Sequence, residues 1–240
     1  MIRRFYKDVT LADVPGGSQV LLDGRGVKTV SGAAQVAPTQ ALGEALAAEW
    51  RRQGDQIDPA SLPLRDMTDY VIDVVAGDPA GIADGMISYA ETDTLCYRAD
   101  PDEPLHARQM AVWEPLLARF EADHSVRLVR VSGILHRPQP PETLAALRAR
   151  LALLDPFTLA GVETMTTLAA SLVTALAALD AREDDARALW QAACLEEEWQ
   201  AELWGREEEA EERRARREAY FLRACGFVRL VSEQKSTRSS

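Results

Sequence analysis

Gln19-Val20-Leu21-Leu22-Asp23-Gly24-Arg25-Gly26-Val27-Lys28-Thr29-Val30 carries two β-patterned runs on either side of a turn cluster. That arrangement suits a hairpin. Gly16-Gly17 and Gly32 punctuate its outer ends, and Phe5-Tyr6-Lys7-Asp8-Val9 is expected to supply a partner strand. From Thr39 the period changes. Leu42, Leu46 and Trp50 recur every four residues just downstream of Pro38, which is the apolar stripe of a helix. After the linker Gly54 to Pro63, most of the chain reads as helix. The expected fold is α+β. A small β-rich N-terminal domain with the first helix takes residues 1–55, a larger mostly α-helical domain takes 56–235, and 236–240 form a flexible tail.

Within the helical part, a segment from Leu64 to Val75 carries Met67, Val71 and Val74 on one side, and Gly77-Asp78-Pro79 breaks it. A third helix from Pro79 is expected to align Ile82, Met86, Tyr89, Asp93 and Tyr97 along one stripe. The next holds Gln109, Trp113, Leu116 and Phe120, and Pro115 is expected to kink it or open a fresh turn. Val126 to Val131 reads as a short strand or connector. Leu144, Leu147, Leu151 and Leu154 form another stripe, and Met165 to Leu179 is Ala/Leu-rich and expected to be buried on most sides.

Of 240 residues, 47% are hydrophobic and 27% charged, which excludes a disordered or fibrous chain. Lys+Arg 27 against Asp+Glu 38 leaves a net charge of −11, which disfavours nucleic acid and anionic lipid as partners. The apolar stretch Leu168 to Leu179 falls short of the ~20 residues that a membrane helix needs. The N-terminus lacks the apolar run of a secretory signal. A cytoplasmic, bacterial-type location is expected. Cys96, Cys194 and Cys225 have no metal-ligand spacing and suggest a reducing compartment.

Catalytic signatures are sparse. The chain has no Gly-x-Ser-x-Gly, no phosphate-cradling Gly loop before a helix and no His-Glu-x-x-His. His106, His124 and His136 stand apart from one another and from the cysteines. No enzyme, cofactor or metal is expected. Two features stand out. Helical spacing would put Asp93 between Tyr89 and Tyr97, either as a satisfied polar pin, as an anchor in a partner groove, or as part of a catalytic or small-molecule site between the domains. The second is Glu196-Glu197-Glu198-Trp199-Gln200-Ala201-Glu202-Leu203-Trp204-Gly205-Arg206-Glu207-Glu208-Glu209. Its bland reading is a core stripe with a solvated back. Its sharper reading is a docking surface for a basic, partly apolar partner.

Taken in order, the chain resembles the assembly chaperones of the F-type ATP synthase that act on the alpha subunit of the catalytic head, in mitochondria and alphaproteobacteria. The pieces are Arg4-Phe5-Tyr6-Lys7, Leu22-Asp23-Gly24-Arg25 with Lys28-Thr29, Glu49-Trp50 with Gln53, Ile57 and Pro59, and Leu62-Pro63-Leu64. Tyr89, Thr92-Asp93, Leu95 and Tyr97-Arg98 follow, then Gln109, Trp113-Glu114-Pro115, Gly133-Ile134, Trp199-Gln200, Trp204-Gly205 and Glu208. Departures are Val30-Ser31 in place of a proline, Asp69-Tyr70-Val71 in place of small residues, and Arg206 in place of an acidic residue. The resemblance implies a chaperone that binds the free alpha subunit and shields it until the beta subunit replaces it. Trp199, Trp204, Glu207 and Glu208 would carry that contact, with Tyr89, Asp93 and Tyr97 in support.

Overall fold

The computed structural model describes residues 2–133 and 136–232. The expected tail 236–240 and Ile134 lie outside them. The fold is α+β. The described residues divide into a first unit of 2–79 joined by 155–160 and 227–232, and a second unit drawn from 80–154 and 161–226.

The first unit is built on β2 (Val9–Val14) and β3 (Gly17–Leu22), paired antiparallel from Val9↔Leu22 to Val14↔Gly17. β3 continues through Asp23 (φ 49°) and Gly24 (φ 77°) into β4 (Arg25–Gly26). Two consecutive positive φ values make a turn whose twist matches the strands, and only residues such as Asp and Gly hold it at low cost. The Asp23 carboxylate accepts from the Lys7 and Asp8 amides at 3.0 and 2.8 Å, and those bonds hold its pKa below the ordinary value. β5 (Val36–Ala37) pairs with the other end of β3. A separate pair joins β1 (Ile2–Arg3) to β6 (Gln56–Ile57).

Two strand expectations need correction. The partner of β3 is Val9–Val14, not Phe5–Val9, because Tyr6 turns inward instead: it is buried and its hydroxyl donates to the Trp50 carbonyl at 2.7 Å. Val27 to Val30 forms no continuous strand, only a bridge at Lys28↔Ala34.

α1 (Gln40–Arg51) buries Leu42, Leu46 and Trp50 as its periodicity predicts, and Thr39 caps it by accepting from the Leu42 amide. α2 (Pro63–Asp73) has no side-chain cap of its own. Glu49 supplies one from α1. Its carboxylate is buried and accepts from the Leu64 and Arg65 amides at 2.9 and 3.0 Å. Burial raises its pKa against those two bonds. Gln53 then ties the linker, taking the Asp58 amide on Oε1 and giving Nε2 to Ser61 Oγ, while its carbonyl accepts from Arg4.

The first unit runs on to Pro79, past the expected boundary near residue 55, and α2 is bound to what precedes it. Besides the Glu49 cap, Gln35 donates to Asp69, and Thr29 and Ser31 donate to Asp73. Glu49→Ala would strand two helix N-terminal amides in the interior. A loss of about 2–4 kcal/mol is expected, with a smaller loss for Glu49→Gln, read as urea unfolding midpoints. Equal stability of Glu49→Ala and the parent would remove the cap from the account.

The second unit holds α3 (Pro79–Glu91) from Ala80 on, β7 (Tyr97–Arg98), α4 (Pro104–His124), β8 (Val131–Ser132), α5 (Pro141–Ala152), the later part of α6 (Pro156–Ala169), α7 (Leu172–Ala177), α8 (Glu183–Ala193), α9 (Leu195–Trp204) and most of α10 (Glu208–Ser232). β7 and β8 pair in parallel. Pro115 sits inside α4 without ending it. The Ala/Leu-rich stretch is not one helix. Ala170 (φ 48°) breaks it, and Ser171 caps α7 by accepting from the Thr174 amide. Fully buried Trp113, Trp190, Phe221 and Leu117 mark the core of this unit. Trp113 donates its indole N–H to the Ala192 carbonyl at 2.7 Å. Glu114 is clamped between Arg98 and Arg130, at 2.7 and 2.8 Å.

Candidate functional site

The Glu/Trp stretch occupies α9 and the start of α10. Gly205 (φ 98°) ends α9 in a conformation that disfavours a side chain, and its amide returns to the Ala201 carbonyl at 3.0 Å. The aromatics differ sharply in burial. Trp190 on α8 is buried against Phe221, with the Arg217 guanidinium over its ring at 5.3 Å. Trp199 is half-buried beneath Arg108, at 5.6 Å. Trp204 is 80% exposed, and its neighbour Leu203 is 59% exposed. Leu195, Trp199 and Leu203, four residues apart on one face of α9, therefore run from buried to open, and are not a core stripe along their whole length.

The carboxylates sort as clearly. Glu196 accepts from Gln109, and burial raises its pKa. Glu197 pairs with Arg217 at 2.8 Å and Glu202 with Arg108. Glu198 and Glu211 share Arg206 and Arg214. Arg206, the departure from the family pattern, is thus held by internal partners. Among the described residues, Glu207, Glu208 and Glu212 are exposed and make no ion pair. Trp204, Gly205 and Glu207 line a shallow groove of about 470 Å³ with Glu197, Gln200 and Arg213. An exposed indole and leucine beside unpaired carboxylates can bury apolar surface and pair a cation in one contact.

The Tyr89, Asp93, Tyr97 face does not exist as expected. α3 stops at Glu91, Asp93 caps a 3-10 turn over Thr94–Cys96, and Tyr97 lies on β7. Helical spacing misled because Asp93 is itself the stop and restart signal. Its carboxylate is wholly buried in the second unit and accepts from the Leu95 amide, the Ser171 hydroxyl and the Val173 amide at 3.1, 2.8 and 3.0 Å. Burial pushes its pKa up to about 6 against those bonds. That enclosure leaves the Asp93 carboxylate to internal donors, which is the satisfied polar pin among the readings its sequence position offers. Tyr97 instead pairs its hydroxyl with His136 Nδ1 at 2.9 Å, and Tyr89 is half-buried. Sequence reasoning missed Leu203 as an open apolar contact. Its signal was its place beside Trp204, immediately before a helix-ending glycine.

The three cysteines are buried thiols. Burial raises Cys96, and pushes Cys194 up to about 12, so neither supplies a thiolate near neutral pH. Among the described residues, no three His, Cys, Asp or Glu side chains gather as metal ligands, and no helix is long and apolar enough to cross a membrane.

The pattern of this chain matches the family described as ATP12 chaperone protein over residues 3–121. Its fold is similar to the crystal structure of Atp12 from Paracoccus denitrificans, 36% identical over 96% of this chain and 98% of that one, with a TM-score of 0.89. A candidate chaperone from Agrobacterium tumefaciens is 38% identical over 94% of this chain and 84% of that one, with a TM-score of 0.86. The mitochondrial protein atp12 of Schizosaccharomyces pombe is 27% identical across 88% of this chain and 76% of its own length.

Proposed function

The chain belongs to the ATP12 chaperone family, and from that premise we propose that it serves assembly of the F-type proton-translocating ATP synthase by holding the free alpha subunit of the catalytic head. In this role it acts as a chaperone and not as an enzyme, in the bacterial cytoplasm. The observation that carries the reading is the near full-length likeness to a solved Atp12, together with the ordered residue set from Arg4 to Glu208. The physical logic is mass action. An aggregation-prone subunit is held by a partner that binds it, and is released when the beta subunit binds better.

The contact surface proposed is the α9–α10 junction, with Trp204, Leu203, Glu207 and Glu208 outermost and Trp199 beneath. Tyr89 and Tyr97 support the unit from elsewhere, and Asp93 acts from within as a positioning residue. Size-exclusion chromatography with isolated alpha subunit tests the reading. Co-elution that is lost on adding beta subunit supports it. Separate elution under refolding conditions overturns it.

Glu208→Lys is expected to leave the fold intact, since the residue is exposed and makes no ion pair. It should weaken capture by a few fold, with the loss greatest at low ionic strength, as expected for a charge at the edge of an interface. A titration against alpha subunit that shows no change at any salt concentration would take Glu208 out of the contact.

A further inference from the structure

A second concave surface lies in the second unit, away from the Trp204 groove. Its volume is about 670 Å³. One wall is α4, which contributes Val112, Leu116, Phe120 and Asp123. The other is α8, which contributes Asp185, Ala188, Leu189 and Ala192. Both sets follow helical spacing, so each helix turns one continuous face to the trough. Leu176 and Leu179 also line it. Val112, Leu116, Leu179 and Leu189 are only half-buried, so the trough leaves apolar side chains partly uncovered. Its walls are fixed, because the Trp113 indole on α4 holds the Ala192 carbonyl on α8. Ala188 and Ala192 are small enough for a helix backbone to approach closely.

The two sides differ in net charge, with one more cation than anion on α4 and α5 and only anions at the entry to α8. Arg119 and Asp123 on α4 and Arg150 on α5 line it from one pair of helices, and Asp180 and Asp185 from the entry to α8. Arg119 has one long contact to Asp123, at 3.5 Å. Among the described residues, Arg150, Asp180 and Asp185 are exposed and make no ion pair. Exposed charges of opposite sign flanking an apolar trough match an amphipathic helix with its apolar stripe inward, one acidic edge and one basic edge.

We infer that the α4–α8 trough docks an amphipathic helix of the alpha-subunit client, its acidic edge toward Arg119 and Arg150 and its basic edge toward Asp180 and Asp185. This rests on the client reading above and adds a second contact to it. The helix lies across the mouth and inserts only its apolar side chains.

A photo-crosslinking amino acid placed at Ala188 of the full chain, mixed with purified alpha subunit, tests it. The expected adduct maps to a helical segment of alpha with an apolar stripe between acidic and basic edges. Ala188→Arg fills the trough at an exposed position. It should weaken the complex at least 10-fold while leaving the thermal midpoint unchanged. If the complex forms on the column but yields no adduct at Ala188, and Ala188→Arg binds normally, the trough is not the site and the client reading stands. If no complex forms at all, both fail.

Discussion

Asp93→Ala is expected to cost about 3–5 kcal/mol of unfolding free energy and to lower the thermal midpoint by roughly 10 °C. Asp93 joins segments far apart in the chain. One oxygen takes the Leu95 amide and the Ser171 hydroxyl, and the other takes the Val173 amide. The 3-10 turn after α3 and the N-terminus of α7 are thus capped by the same carboxylate. Alanine leaves those donors enclosed and without an acceptor, and the sum of unmet donors exceeds the value of any one bond. Thr94 crosses to the Ala170 carbonyl through both its amide and its hydroxyl, so the turn would not simply detach. The loss should therefore register on the whole second unit as one cooperative shift.

Asp93→Asn separates the charge from the geometry. Burial holds the Asp93 carboxyl up to about 6, above the ordinary 3.8. The folded protein thus grips this proton more tightly than the unfolded chain does. That contribution to stability is fully present below pH 3.8 and is lost as the pH rises through about 6. The asparagine variant has no such proton. Its deficit relative to the parent should be larger at pH 4.5 than at pH 7.5, by about 2 kcal/mol. Urea midpoints of the two chains at both pH values measure the difference, in which pH effects common to the other carboxylates cancel. A deficit that stays constant, or grows with pH, would show that burial does not dominate at Asp93.

What the sequence revealed was what local chemistry decides. Asp23-Gly24 forces a turn whatever lies elsewhere, and Leu42, Leu46 and Trp50 bury one face because their spacing leaves no other. Errors arose where a residue's partner lies far along the chain. Phe5 to Val9 looks like a strand, yet Tyr6 is taken by the carbonyl of Trp50, so the strand begins later. Asp93 looks like one more position on a helical stripe, although aspartate is a common cap and Thr94-Leu95-Cys96 restarts the chain after it. The Glu/Trp stretch from Glu196 to Glu209 reads either as a core stripe with a solvated back or as a docking surface. Its division into paired and unpaired carboxylates depends on Arg108, which meets Glu202 across a separation of 94 positions. It also depends on Arg214, which meets Glu198 across 16. Periodicity carries no signal for such pairings. The family resemblance marked many of these residues without saying why. Tyr6, Glu49, Gln53, Asp93, Gln109 and Trp113 hold segments of the fold together, which leaves the open residues at the α9–α10 junction as the better candidates for contact.

Trp204→Ala is expected to give the largest loss of client capture of any single substitution, about 2 kcal/mol or roughly 30-fold in Kd. Trp204 is the most exposed large aromatic in the described structure, at 80%, and makes no hydrogen bond that the fold needs. Its removal should therefore change stability by no more than about 0.5 kcal/mol. Contact energy at interfaces concentrates on aromatic anchors flanked by polar groups, and here Glu207 shares a groove with Trp204, with exposed Leu203 and Glu208 close by in sequence. Trp199 makes the necessary contrast. It is half-buried beneath Arg108, so Trp199→Ala should weaken folding and capture together, whereas Trp204→Ala should weaken capture alone. Thermal midpoints paired with titrations of alpha subunit resolve the two. Should Trp204→Ala bind as tightly as the parent, the junction is not the center of the contact. The exposed indole would then be an ordinary surface residue, and the α4–α8 trough would become the first surface to test.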